Sequence, residues 1–166
     1  MSTLVFTASN DLLSRSIRWF TKGRASHVAI GAQLFDVPVL IHATIGGVQV
    51  SPRVKWMRGR ILVAEYAFTH SSGVDVAGAV KKLGERYDYV GLLGFIPVLI
   101  ARWFGVRVRN PFASASAVVC SELVLRADVN NNVKEWRGMD PERASPVDLL
   151  EACVKSESFV LLPRSR

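Results

Sequence analysis

The stretch SHVAIGAQLFDVPVLIHATIGGVQV, residues 26–50, indicates what kind of sheet this chain forms. The runs SHVAIGAQL and VLIHATIGGVQV are both rich in strand-forming residues, and FDVP between them is turn material. Gly46 and Gly47 interrupt the second run. The pattern predicts a β-hairpin.

Two of the three histidines lie in this hairpin. His27 opens the first strand, and Ala29 and Gly31 on its face are small enough to leave space for a substrate. The register is described by the sum of the numbers of two residues that lie directly opposite each other in the two strands. If this sum is odd and near 71, His27 and His42 share one face as diagonal neighbours, and one can orient the other. The loop length leaves this register open, and His27 at a sheet rim without a role is the alternative. His70, beside two serines, is expected in an exposed loop.

Local signals predict the elements on either side of the hairpin. They are a strand in TLVFTA, a helix capped by Ser9 or Asn10 and ending near Lys22, a strand in RILVAEYAF, a helix from Val74 to Arg86, a helix in ASASAVVCSELVLRADV capped by Ser114 or Ser116, a helix capped by Ser145 with Pro146 at its first position, and a strand in SFVLLP. Because strands and helices are segregated along the chain, we expect an α+β fold with an antiparallel sheet packed against helices. The length predicts a single domain over residues 1–166.

One long apolar stretch, residues 89–104, needs a separate interpretation. It contains a charge and a central Pro97, and it falls short of the roughly 20 uninterrupted apolar residues of a membrane span. We therefore expect a buried or interfacial broken helix.

The composition limits the partners and the compartment. The formal charge of +7 favours acidic partners such as nucleic acid, anionic lipid or cell-wall polymer. The basic residues are spread out and lack the patterns of specific nucleic-acid binders, so a solvated basic surface is the simpler interpretation. With two cysteines and no signal peptide, the sequence indicates free thiols and a cytoplasmic protein.

Cys120 has two possible roles. Leu123, Val124 and Ala127 follow it at helical spacing, so it lies on an apolar face where a cysteine commonly packs as a small hydrophobe. A thiol near a helix N-terminus can instead have a lowered pKa and act as a nucleophile, if a histidine is within reach. No metal-ligand spacing is present, and GxSxG and P-loop motifs are missing, so we expect neither a metal nor a cofactor.

Four short blocks carry a family resemblance. IRWFTKGRASHVAI, LIHATIGGVQV, GERYDYVGLLGF and VVCSELV followed by SPVDLL resemble, in order and spacing, the circularly permuted NlpC-like branch of the papain-like cysteine hydrolases, relatives of the lecithin:retinol acyltransferase-like proteins. The resemblance extends from about Asp11 to Leu150 and implies a papain-like antiparallel sheet or half-barrel. The histidine precedes the cysteine, as the permuted branch requires.

The resemblance also implies roles for four residues. Cys120 matches the nucleophile, His27 the base, and His42 the third polar residue, where many permuted members carry Glu. Tyr87 matches a tyrosine beside the nucleophile whose hydroxyl polarises the carbonyl; a helix-end aromatic is the alternative. The implied reaction is acyl transfer through a thioester.

Three functions fit this sequence. The first is an amidase or peptidase acting on a small peptide of the cell-wall type, which for a chain without an export signal implies another delivery route, such as a phage particle. The second is a lipid-directed acyltransferase or thioesterase, with the apolar stretch and the flanking Arg102, Arg107 and Arg109 at a membrane surface. The third is an inactive relative serving as a binding or virion module.

Overall fold

The strands of this α+β fold lie mainly in the first half of the chain, and most of the helices follow them. The computed structural model describes residues 2–44, 46–69, 74–84, 104, 120–128, 133–141 and 143–163. The strands and helices of these residues are β1 Thr3–Ala8, α1 Leu12–Thr21, β2 His27–Leu34, β3 Val37–Thr44, β4 Gly47–Pro52, α2 Arg53–Trp56, β5 Ile61–Phe68, α3 Val76–Val80, α4 Cys120–Ala127, a 3-10 turn Lys134–Trp136, α5 Pro146–Lys155 and β6 Phe159–Leu161. The strands form one antiparallel sheet in the order β4-β3-β2-β1-β5-β6. The predicted fold class, an antiparallel sheet packed against helices, is therefore confirmed.

The predicted hairpin is formed by β2 and β3, with Ile30 opposite Ile41. Its turn is tighter than the expected FDVP, since β3 already begins at Val37. Phe35 and Asp36 make the turn with φ angles of 47° and 64°. A two-residue turn with positive φ at both positions matches the right-handed twist of the two strands, which explains why the loop is short.

The two faces of the sheet bury different sets of side chains. Val28 and Ile30 of β2 lie in a large core with residues of α3, α4 and α5. Ala29 lies on the opposite face, in a smaller core with Val5, Leu40 and Trp56. Because side chains alternate along a strand, odd-numbered residues of β2 share the smaller core's face.

Two helix predictions needed correction and one was confirmed. The N-cap of α1 is Asp11, whose carboxylate accepts the N–H of Ser14 at 2.7 Å, rather than Ser9 or Asn10. Within the helix expected over residues 74–86, the described residues 74–84 are α-helical at Val76–Val80 and form turns at residues 81–84. Ser145 caps α5 with a reciprocal hydrogen bond to Asp148, as predicted.

Some sequence predictions fall outside the described residues. They include the apolar stretch except for the exposed Phe104, and the expected caps Ser114 and Ser116. Among the described residues, no helix has the length and apolar character that a membrane crossing requires.

We expect Gly31→Ala to destabilise the protein because Thr3, its partner on β1, occupies the space that a Cβ atom would need. The Thr3 hydroxyl is held by a hydrogen bond to Glu65, so it cannot rotate away freely. The loss should be about 1–3 kcal/mol, and smaller when Gly31→Ala is made in a Thr3→Ala background. Urea unfolding of the four proteins of this double-mutant cycle measures it. An equal cost in both backgrounds would disprove the clash.

Candidate functional site

The hairpin register brings His27 and His42 together. With Ile30 opposite Ile41, both imidazoles project from the face of the smaller core, and their ring centroids are 6.2 Å apart. His42 is only 2% exposed, and His27 is half-buried. The register therefore meets the condition under which the sequence placed the two histidines as diagonal neighbours on one face.

Trp56 lies against both imidazoles. Its ring centroid is 5.2 Å from that of His27 and 5.0 Å from that of His42. The Arg60 guanidinium lies 4.2 Å from the Trp56 ring centroid and also donates a hydrogen bond to the Trp56 carbonyl at 2.6 Å. Trp56 therefore shields the histidines from solvent, and Arg60 holds Trp56 in place.

The ring nitrogens differ in their partners. Nε2 of His42 faces the Ser51 hydroxyl at 3.0 Å. Among the described residues, His27 Nε2 and His42 Nδ1 are buried without a hydrogen-bond partner. Nδ1 of His27 is therefore the nitrogen best suited to receive a proton from a nucleophile, since the other three are buried or engaged.

Cys120 meets β2 next to His27. It is the first described residue of α4, is 4% exposed and packs in the large core. The backbone N–H groups of Val28, Ser121 and Cys120 itself lie close enough to the thiol to lower its pKa. The structure thus places the thiol against the residue that follows His27, with the imidazole side chains projecting from the other face of the strand.

Burial keeps both histidines neutral. Desolvation lowers the pKa of His27 to about 3, with further lowering by the charges of His42 and Arg60. Desolvation and then Arg60 lower the pKa of His42 to about 4. A neutral imidazole can accept a proton, so at neutral pH His27 is in the form that a general base requires.

The Cys120 thiol is also neutral. Burial raises its pKa to about 11, and the backbone N–H groups around the sulfur offset only part of this rise. This is opposite in direction to the effect expected from a helix N-terminus, because desolvation outweighs the helix dipole. The resting site therefore contains a thiol and an imidazole, not a thiolate and an imidazolium.

Tyr87 and His70 lie outside the described residues. Cys153 is a free thiol buried in the large core, and it makes no disulfide with Cys120. Both cysteines are free, as predicted.

Sequence reasoning missed the residues that surround the histidines. Trp56 and Arg60 follow β4 in a segment for which no helix was predicted, and α2 is only four residues long. Ser51 and Thr7 are ordinary strand residues by sequence. The alternation of β4 would have placed Ser51 on the face of His42 once the register was known, since Gln49 lies opposite His42.

A metal centre finds little support in these residues. Within the described ranges, no group of three His, Cys, Asp or Glu side chains is arranged to hold a metal ion. Two imidazoles alone fall short of the four ligands that zinc usually takes.

Comparisons with known proteins identify a fold and no function. No protein-family model matches the chain, and no curated protein matches it. The chain is similar to the crystal structure of metalloprotein yiiX (DUF1105) from Escherichia coli O157:H7, with a TM-score of 0.52 and 15% sequence identity over 99% of this chain and 96% of that one. At this identity the similarity supports the fold alone.

The lowered histidine pKa values predict a pH dependence of stability. Between the folded values of about 3 and 4 and the ordinary value of 6.5, the unfolded chain binds more protons than the folded chain. The contribution of the two histidines to the free energy of unfolding is therefore complete above pH 6.5 and is lost as the pH falls towards about 4. The loss is at most about 1.4 kcal/mol per pH unit for each histidine.

Urea unfolding of the wild type and of a His27→Gln, His42→Asn double variant measures this loss, because carboxylate effects cancel in the difference. Equal pH slopes for the two proteins would show that the histidines are not buried in the neutral form.

A neutral resting thiol predicts slow alkylation. In a Cys153→Ala background, the rate of Cys120 modification by iodoacetamide should keep rising with pH towards the thiol pKa of about 11. A plateau well below the ordinary cysteine value of about 8.5, abolished by His27→Gln, would instead show a thiolate–imidazolium pair.

Proposed function

We propose that this chain is a cysteine hydrolase that works through a thioester acyl-enzyme, with Cys120 as the nucleophile and His27 as the base. The observation that carries the proposal is the position of the thiol beside the backbone N–H of Val28, the residue directly after His27. In the proposed reaction the thiol proton passes around the edge of β2, from the face of the large core to the face of the imidazoles. The second histidine on the same face supports it, because a cysteine nucleophile needs a base and a group that orients the base.

The neutral pair implies general-base catalysis. As the sulfur bonds to the substrate carbonyl carbon, the thiol proton moves to His27 and the carbonyl electrons move to the oxygen. Backbone N–H groups of the cysteine helix are the proposed oxyanion donors. When the carbonyl re-forms, the leaving amine or alcohol takes the proton from His27. Water activated by the same imidazole then releases the acid from the thioester.

His42 has a supporting role in this scheme. Its Nε2 is fixed by Ser51, so its ring orientation is set by β4. Histidine replaces the Glu that the resemblance leads one to expect at this position. We propose that His42 acts on the His27 ring and not on the substrate. Tyr87, outside the described residues, is proposed to polarise the carbonyl.

We infer membership of the permuted NlpC-like branch from the chain order and the four sequence blocks. The substrate class proposed first is a short peptide amide of the cell-wall type, to which the basic surface is complementary in charge. A lipid-directed acyl ester is the second candidate. The observation favouring it is the β2–β3 turn, where Phe35 is 99% exposed between the partly exposed Leu34 and Val37.

Trapping of the acyl-enzyme tests the function. The protein is mixed with peptide p-nitroanilides and with short- and long-chain p-nitrophenyl esters, quenched in acid and weighed by mass spectrometry. We expect one acyl group on Cys120, none on a Cys120→Ala variant, and an acylation rate lowered about 10²- to 10⁴-fold by His27→Gln. His70→Gln is the matched control and should react like the wild type.

The substrate that acylates distinguishes the candidates. Preference for the peptide amides supports the peptidase, and preference for long-chain esters supports the lipid enzyme. A wild type that is acylated by no substrate, or a His27→Gln variant that is acylated at the wild-type rate, would contradict the proposal and favour a binding module.

A further inference from the structure

Several buried polar atoms without partners are gathered on one face of the sheet. Among the described residues they include Thr7 Oγ1, His27 Nε2, His42 Nδ1 and Trp56 Nε1. Thr7 is directly opposite His27 in the β1–β2 pairing, and Trp56 lies against both imidazoles. Thr7, His42 and Trp56 are 1%, 2% and 6% exposed. Buried polar groups are rarely left unpaired, so this cluster needs an explanation.

The distances point to a bridging molecule. The ring centroids of His27 and His42 are 6.2 Å apart. The two inner nitrogens, His27 Nε2 and His42 Nδ1, make no direct hydrogen bond to each other. A water between two polar atoms links groups that are too far apart for direct contact. Such a site must be polar and must offer two to four partners, as this cluster does.

The hydrogen-bonding chemistry of the cluster is complementary to that of one water. If Nδ1 of His27 is to accept the thiol proton, its Nε2 must carry a hydrogen and donate. If His42 Nε2 donates to Ser51, then His42 Nδ1 accepts. Trp56 Nε1 can only donate, and the Thr7 hydroxyl can accept. The cluster then offers two donors and two acceptors, and water has two of each.

We propose that an ordered water held beneath Trp56 joins His27 Nε2 to His42 Nδ1, and that Thr7 is a positioning residue that acts on the His27 base through this water. The inference rests on the proposed function for its catalytic meaning. The water holds His27 in the tautomer whose Nδ1 faces outward as an acceptor. His42 therefore orients the base through the bridging water, which is the role of the third residue in the proposed catalytic set.

A metal ion is the competing occupant of this site. Two facing imidazole nitrogens are suitable ligands, but the other groups of the cluster are a hydroxyl and an indole N–H, and the indole cannot bind a metal. Arg60, stacked on Trp56, brings a positive charge that opposes a cation. The observations therefore favour water.

A high-resolution crystal structure of the Cys120→Ala protein tests the bridge without any need for activity. We expect a water within about 2.7–3.2 Å of both inner nitrogens, lost or displaced in Thr7→Val. ¹⁵N NMR of the imidazoles at neutral pH should show the Nε2–H tautomer of His27 in wild type and a mixture in Thr7→Val. Density bonded at about 2.0–2.1 Å to the two nitrogens, or no bound species, would overturn the proposal.

Kinetics of the active protein test the role of Thr7. Thr7→Val, which keeps the shape of the side chain, should lower kcat about 10- to 100-fold, the range seen for hydrogen-bond partners that hold a metal-bound histidine, with little change in KM. Thr7→Ser, which keeps the hydroxyl, should recover most of kcat. A Thr7→Val variant with unchanged kcat and an unchanged His27 tautomer would overturn the positioning role.

The two proposals can fail separately. If no substrate acylates the protein but the water and the tautomer are observed, the bridge stands and the cysteine hydrolase is wrong. If acylation depends on His27 but neither the water nor the Thr7 effect is found, the hydrolase stands and the bridge is wrong.

Discussion

The pairing of Ile30 with Ile41 is the constraint on which the rest of the site depends. It sends Val28, Ile30, Ile41 and Ala43 into the large core and leaves His27 and His42 together on the other face. A slip of one residue would turn every side chain of a strand to the opposite face, burying an imidazole among the helices and exposing core residues. The stability of the core and the position of the two histidines are therefore fixed by the same hydrogen bonds.

Burial then sets the charge state of the site. Removing His27, His42 and Cys120 from water favours their neutral forms, so the pKa values of the imidazoles fall and that of the thiol rises. A neutral base and a neutral thiol are compatible with proton transfer at the moment of attack. Trp56 lies against both imidazoles, and Arg60 is stacked on Trp56.

The fold constrains the function only loosely. An α+β sheet of this kind is shared with metalloprotein yiiX at 15% identity, and one fold serves many chemistries. The side chains of the site are more informative than the fold, and the proposed function uses two histidines flanked by Thr7 and Trp56 for proton transfer. The proposed function therefore depends on a few side chains of β1, β2, β3, α2 and α4.

Features that depend on neighbours in the chain could be predicted from the order of the amino acids. The strand-forming runs and the turn residues in residues 26–50 predicted the hairpin, and Ser145 with Pro146 predicted the start of α5. The shared face of the histidines required the strand register, which the sequence left open. Local ambiguity produced the errors: Ser9, Asn10 and Asp11 are all good caps, and FDVP admits several turns. Three features could be found only in the folded chain: Trp56 covers the histidines, Thr7 is opposite His27, and the Cys120 thiol is neutral. These features arise from contacts between distant segments and from desolvation, and neither leaves a periodic signal in the chain.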